Sequence, residues 1–117
     1  MTFNAPATTE ELLREAEKEN LYQKLLEQIN KDFNLANEPV DFPKSTTPYE
    51  LKVQIHEKIY RLIRDRYPDF LNLLYIIDVA ENQMRSLDGS DIESLSEQVA
   101  YLVLKREWQK VWFRNKY

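Results

Sequence analysis

The chain has 117 residues, a formal net charge of −4, a single glycine and no cysteine. Without cysteine, disulfide bonds, thiolate metal sites and cysteine nucleophiles are all excluded. No basic-then-apolar leader opens the sequence and no apolar run is long enough to span a bilayer, so the sequence predicts a cytoplasmic protein without a membrane span. Length and composition predict one domain over residues 1–117, with residues 1–8 disordered or loosely attached.

The first predicted helix runs from about residue 9 to residue 34. It begins at a capping box in the sequence TTEE, where Thr8 can accept a hydrogen bond from the amide of Glu11 while the Glu11 side chain reaches back. Apolar residues then recur at alternating spacings of four and three, which is typical of a helix with one narrow packing face. These residues are Tyr22, Leu26, Ile29 and Phe33.

A proline-rich connector, NEPVDFPKSTTP, joins the first helix to the second. Its prolines fix much of the backbone and remove amide donors, which predicts a stiff, extended segment rather than a flexible linker. Val40 and Phe42 alternate with polar residues in this segment. We expect both side chains to pack onto the helices.

The second predicted helix runs from about residue 48 to residue 66. It begins at another capping box, formed by Thr47 and Glu50, with Pro48 in the first turn, where a missing amide proton has no effect. Its apolar residues lie on one face of the helical wheel: Leu51, Ile55, Ile59, Leu62 and Ile63.

Two more helices complete the predicted fold. The third, about 68 to 87, begins at Pro68, which ends the preceding helix and suits the first turn of the next. The fourth, about 91 to 114, begins at a capping box of Ser90 and Glu93. The apolar face of the third helix consists of Phe70, Leu73, Leu74, Ile77, Ala80, Met84 and Leu87.

These elements predict an all-α fold, a four-helix bundle-like single domain with the connector between helices one and two. The alternative is that LLYIIDVA forms a buried parallel strand ending in a functional acid. Apolar residues continue at helical spacing beyond this dense run, and no glycine-rich turn accompanies it. Periodicity therefore favours the helix.

His56 is the only histidine in the sequence. A single histidine excludes sites that need two histidine ligands and most catalytic triads. On the wheel of the second helix His56 lies at the edge of the apolar face, beside Tyr60. It is interpreted first as a boundary residue, and alternatively as a lone acid, base or pH sensor.

Asp78 and Glu81 are the acids nearest the apolar face of the third helix. They are three residues apart and could form a paired-carboxylate site, to which His56 could contribute. Arg85 follows Glu81 by four residues, which is the favourable order for an ordinary ion pair on a helix. The ion pair is the preferred interpretation. A small ligand-binding or enzymatic bundle using Asp78, Glu81 and His56 is the alternative.

The C-terminal stretch KREWQKVWFRNKY combines five basic residues with four aromatic ones. On a helical wheel both tryptophans fall in the apolar sector, whereas the basic residues and Phe113 fall outside it. This favours a core helix whose bases lie in solvent. The preceding segment VAYLVL is apolar on nearly all sides, so the helix is either central in its bundle or shared with a second subunit.

Nucleic-acid binding through this basic end is a weaker hypothesis. Residues 105–117 are basic, whereas the rest of the chain is acidic and would repel a polyanion. The basic end can also complement the chain's own acids in the first helix, Glu10, Glu11, Glu15, Glu17 and Glu19.

The segment from YRLIRDRYPDFLNLLYIIDVAENQM to LKREWQKVWFRNKY resembles small uncharacterised all-helical bacterial proteins. In these proteins a similar run of the pattern apolar-Tyr-apolar-Asp precedes a C-terminal basic helix. The resemblance covers about residues 49–117. It implies a helical fold and no particular activity.

The predicted function is a non-enzymatic helical protein–protein interaction or scaffold module, with no cofactor, no metal and no catalytic residue. Its predicted partner is another protein or a second copy of the chain in a homodimer. Aromatic residues and arginine together are typical of the energetic centre of an interface. The predicted partner-binding residues are Tyr101, Arg106, Trp108, Lys110, Trp112, Phe113, Arg114 and Tyr117.

Overall fold

The computed structural model describes residues 2–116 of the chain. These residues contain six α-helices and no β-strand. The all-α fold is therefore confirmed, and the four-helix organisation is retained in outline, with two of the predicted helices interrupted. Within these residues no helix is both long and apolar enough to cross a membrane. The helices are α1 (Thr9–Lys18), α2 (Tyr22–Leu35), α3 (Pro48–Asp65), α4 (Tyr67–Ile77), α5 (Glu81–Arg85) and α6 (Ile92–Lys116).

Left-handed residues interrupt the first and third predicted helices. Asn20, with φ of 59°, separates α1 from α2, and Asp78, with φ of 70°, ends α4. Asn37, with φ of 60°, follows α2 in the same way. At each position the next amide donates to a carbonyl five residues back, for example Leu21 to Ala16 at 2.9 Å. This is the helix-ending pattern in which glycine is usual, and asparagine and aspartate tolerate it better than other residues.

The predicted helix starts are confirmed at α1, α3 and α4. The Thr8 hydroxyl accepts from the amide of Glu11 at 3.1 Å, and Pro68 lies in the first turn of α4. At α3 both halves of the capping box are formed, because Thr47 and Glu50 each accept from the other's backbone amide. These contacts satisfy amides that a helix leaves unpaired at its N-terminus.

The predicted capping box at Ser90 and Glu93 is wrong. The carboxylate of Asp91 accepts from the amide of Glu93 at 3.2 Å, and α6 therefore begins at Ile92. The amide of Ser90 donates instead to the Asp88 carboxylate at 3.0 Å. A short acidic side chain caps from this position as well as a hydroxyl does, so two candidate caps in succession made the sequence ambiguous.

The long helix α6 lies at the centre of the fold. It packs against α1, α2, α3 and α4, most extensively against α3. Its buried residues therefore point in several directions. Packing within one chain thus explains why the segment VAYLVL is apolar on nearly all sides. They are Ser96, Val99, Ala100, Leu102, Val103, Leu104, Glu107, Trp108, Val111 and Trp112.

Side chains of α2 hold the proline-rich connector in place. The Asn30 side-chain amide donates to the carbonyl of Phe42 at 3.1 Å and accepts from its backbone amide at 2.9 Å. The hydroxyl of Tyr22 donates to the carbonyl of Thr46 at 2.7 Å. Phe42 is buried and Val40 is half-buried against the core, as the sequence predicted.

We expect Asn30→Ala to lower the free energy of unfolding by about 1–3 kcal/mol, because it leaves both backbone groups of Phe42 without their partner. Chemical denaturation of both proteins measures the difference. Asn82→Ala, an exposed asparagine in α5, serves as the control. Equal effects of the two substitutions would contradict the assigned role of Asn30.

Phe3 and Pro6, in the segment expected to be disordered or loosely attached over residues 1–8, contact α6. The ring of Phe3 contacts Trp112 edge to face with centroids 5.5 Å apart, and lies 6.1 Å from Phe113. The hydroxyl of Tyr101 donates to the carbonyl of Pro6 at 2.5 Å. Apolar and polar contacts together attach this segment.

Candidate functional site

The predicted partner-binding residues of α6 do not form one surface. Trp108 is fully buried and Trp112 is 8% exposed, so the prediction needs correcting at both tryptophans, which pack inside the chain. Tyr101 is half-buried and bonded to the N-terminal segment. Phe113 is 39% exposed and Arg114 is exposed. Tyr117 lies outside the described residues.

Three of the basic residues at this end of α6 bind acids of the same chain. Lys110 contacts Asp32 at 2.7 Å, Arg106 contacts Asp78 at 3.1 Å, and Lys116 contacts Glu19 at 2.9 Å. The last contact joins α6 to the acidic first helix, in the way that the uneven charge distribution indicated. Bases already neutralised by carboxylates contribute little to phosphate binding.

Asp78, Glu81 and His56 do not share a site. Asp78 ends α4 and contacts Arg106, whereas Glu81 is exposed on α5 and pairs with Arg85 at 3.3 Å. His56 lies on α3 in a separate groove, whose lining includes neither acid. The alternative of an enzymatic or ligand-binding site built from these three residues is therefore not supported by their placement.

The groove that His56 lines has a volume of about 760 Å³ and runs between α3, α6 and the N-terminal end of α1. Val53 and Leu104 contribute apolar surface to it. Its polar groups largely bind one another: Lys52 forms an ion pair with Glu10, and His56 bonds to Ser96. A ligand site requires polar groups that orient the bound molecule, and few are left free to do so in this groove.

The contact between His56 and Ser96 does not make a nucleophile. Nε2 of His56 lies 2.8 Å from Oγ of Ser96, whose own proton is donated to the carbonyl of Glu93 at 2.9 Å. Ser96 is also fully buried, so no substrate reaches it. The pair joins α3 to α6.

A cluster of polar side chains lies buried between α2 and α6. Asp32 accepts hydrogen bonds from Gln28 at 3.1 Å and from Lys110 at 2.7 Å. Glu107 is fully buried, with Lys110 3.6 Å from one carboxyl oxygen. Neither carboxyl oxygen of Glu107 accepts a hydrogen bond from the described residues.

The pKa values of the two carboxyl groups in this cluster are shifted in opposite directions. Burial raises the pKa of Glu107 well above its usual range, and the neighbouring Asp32 carboxylate raises it further. Burial also acts to raise the pKa of Asp32, but its interactions with Glu107, Lys110 and Gln28 outweigh that effect and lower it. Both acids are enclosed, and among the described residues no three acidic or histidine side chains are grouped so as to hold a metal ion. The cluster is part of the core.

An exposed apolar stripe runs along α4. Tyr67, Leu71 and Tyr75 follow one another at four-residue intervals and are 52%, 49% and 81% exposed. The opposite face of α4 is buried, through Phe70, Leu73, Leu74 and Ile77. One apolar face of α4 therefore packs into the core of this chain, and the second apolar face is left exposed to solvent.

The helix that carries this stripe is also poor in charge. Asp69 is the only charged residue of α4, and its carboxylate is bound by Arg66 at 2.8 Å. The amide of Asn72 donates to the carbonyl of Ala36 at 3.3 Å, which joins α4 to the end of α2, where Leu35 is 62% exposed. An uncharged helix face with aromatic residues is typical of the centre of a protein interface.

No family model, curated protein or solved structure matches this chain. The resemblance of residues 49–117 to small helical bacterial proteins stays a prediction.

The sequence did indicate this stripe, although our interpretation did not single it out. Once the core face of α4 is assigned, Leu71 and Tyr75 are left on the solvent side of the wheel in a helix with one charge. Glu107 gave no such signal. It stands among lysines and arginine in KREWQK, where an acid is normally exposed.

Proposed function

We propose that this chain is a non-enzymatic helical interaction module that binds a protein surface through the stripe formed by Tyr67, Leu71 and Tyr75. The observation that supports the proposal is the exposure of three large apolar side chains on one uncharged face of α4. Burying such a face against an uncharged protein surface is favourable, because apolar area leaves water and no charge is desolvated.

The surface proposed here replaces most of the one expected from the sequence. The tryptophans of α6 stabilise the fold, and its bases bind acids of the same chain. The stripe on α4 keeps the expected chemistry, aromatic side chains around an aliphatic one. Phe113 and Arg114 stay predicted contributors on α6.

The placement of Asp78, Glu81 and His56 weighs against the alternative of an enzyme built from these three residues. Asp78 and Glu81 each pair with an arginine, and His56 is hydrogen-bonded to a buried serine. Catalysis needs an acid, base or nucleophile held within reach of a substrate. None of these three residues has that setting.

The proposal predicts where the protein is in contact with a partner in cells. A photo-crosslinking phenylalanine analogue replaces Leu71, and in a second protein it replaces Arg61, a similarly exposed residue of α3. After irradiation of cells that naturally make the protein, we expect protein adducts from position 71 and far fewer from position 61. Equal yields from the two positions, or no adduct from position 71, would refute the proposed surface.

A further inference from the structure

We infer that the partner at the α4 stripe is a second copy of this chain, bound antiparallel about a two-fold axis that passes beside Leu71. This inference rests on the proposed function and names its partner. It is supported by the spacing of the three residues, by the charge around them and by the area that they can bury.

The spacing makes the stripe complementary to itself. Tyr67 and Tyr75 each lie four residues from Leu71, about 6 Å along the helix on either side. When two α4 helices pack antiparallel with Leu71 against Leu71 of the second copy, each Tyr67 faces the Tyr75 position of the other. One residue pattern then supplies both halves of a closed, isologous interface. Antiparallel packing also opposes the two helix dipoles, which favours it over parallel packing.

Charge directs two copies toward this face. The chain has a net charge of −4, so two copies repel each other on average. The stripe has no charged side chain, and Asp69, the one acid of α4, is bound by Arg66. Two copies can therefore meet here without placing like charges opposite each other.

The exposed area sets the expected strength. From their exposed fractions, the three side chains of both copies offer about 600–800 Å² in total. Stable interfaces bury about 1,200–2,000 Å², whereas transient ones bury less. We therefore expect a weak dimer, with a dissociation constant on the order of 100 µM, that is mostly monomeric in dilute solution.

Sedimentation of the purified chain tests the dimer. We expect the mass to rise from the 14.1 kDa of the monomer toward twice that value at millimolar concentration. Leu71→Asp should weaken association by at least about tenfold, because it places two carboxylates opposite each other at the axis. Arg61→Asp, at an exposed position of α3, should not weaken association. Circular dichroism verifies that both variants stay folded.

Paired charge substitutions test the antiparallel arrangement. Tyr67→Lys combined with Tyr75→Glu places opposite charges together only when the helices are antiparallel, so it should associate at least about tenfold more tightly than Tyr67→Lys combined with Tyr75→Lys. Equal association of the two double variants would overturn the arrangement.

Cysteine crosslinking gives an independent measurement, because the chain has no native cysteine. Leu71→Cys should form an intermolecular disulfide under mild oxidation, since the two Leu71 positions meet at the axis. Tyr75→Cys should not, because the two copies of that position lie about 12 Å apart along the helix. Efficient crosslinking at Tyr75→Cys alone would overturn the proposed register.

The outcomes separate this inference from the proposed function. A chain that stays monomeric at millimolar concentration, while position 71 crosslinks to a different protein in cells, overturns the inference and leaves the function standing. A monomeric chain without adducts at position 71 overturns both. A dimer that Leu71→Asp does not weaken overturns the inference, because the copies then meet elsewhere.

Discussion

Replacing Trp108 by alanine is expected to lower the free energy of unfolding by about 3–5 kcal/mol. Trp108 is completely buried, with 0% of its surface accessible to solvent. It lies on α6, the helix that the other long helices surround. Truncation would leave a cavity in the middle of the core that rigid neighbouring helices cannot fill. Loss of this size is a large part of the stability of a typical domain.

Phe113→Ala is the matched control for Trp108→Ala. Phe113 lies five residues further along α6, is 39% exposed, and contacts Trp112 with ring centroids 5.1 Å apart. We expect it to lose about 1 kcal/mol or less, since most of its ring area does not enter the core. Urea denaturation of both variants measures the difference. Equal, small losses would mean that the aromatic end of α6 does not stabilise the fold as its burial indicates.

Replacing Glu107 by glutamine should change how stability depends on pH. A carboxyl group with a raised folded pKa keeps its proton in the folded protein after the unfolded chain has released it. The free energy of unfolding of the natural chain therefore falls as pH rises above the ordinary value of 4.5, until the raised folded pKa is reached. Each pH unit in that window lowers it by about 1.4 kcal/mol. Glutamine has a similar shape and does not titrate, so this decline is absent from Glu107→Gln.

The measurement is the difference in unfolding free energy between the two proteins from pH 5 to pH 8. Asp32 acts in the opposite direction: its pKa is lowered, so its contribution is present above the ordinary value of 3.8 and is lost as pH falls below it. The chosen range lies above that region. We expect Glu107→Gln to gain stability relative to the natural chain as pH rises.

Glu27→Gln, an exposed glutamate of α2, controls for the loss of one charge. Two parallel profiles for the natural chain and Glu107→Gln would show that Glu107 is charged in the folded protein, contrary to the setting described above. A difference that appears only in Glu107→Gln attributes the pH dependence to the buried cluster.

Local chemistry allowed much of the fold to be predicted. Thr8, Thr47 and Pro68 each fix a helix start through groups within a few residues, and the structure has helices at all three. The break at Asp78 was missed because helical spacing of apolar residues continues across it, and the break at Asn20 because the capping box at Thr8 and the apolar face that begins at Tyr22 were assigned to one helix. Asparagine and aspartate favour helix ends but also occur inside helices, so the residue alone does not mark a stop.

The candidate surface was harder to predict, because exposure depends on what the rest of the chain covers. Trp108 and Tyr75 are both large and aromatic, yet one is at the centre of the core and the other is 81% exposed. The wheel separated the faces of each helix. It could not say which apolar face lacks a neighbour, since that depends on the packing of α6 among α1, α2, α3 and α4.

The contacts between residues near the N-terminus and α6 also bear on how the chain folds. Tyr101 bonds to Pro6 and Lys116 to Glu19, pairs separated by 95 and 97 positions in the sequence. Helical bundles usually fold fast because most of their contacts are between neighbours in the sequence. Here the central helix α6 cannot be enclosed until segments near opposite ends of the chain have met. Bringing these segments together closes a long loop, and the loss of chain entropy in that step slows folding. This topology places a kinetic barrier in a protein whose secondary structure alone would suggest rapid folding.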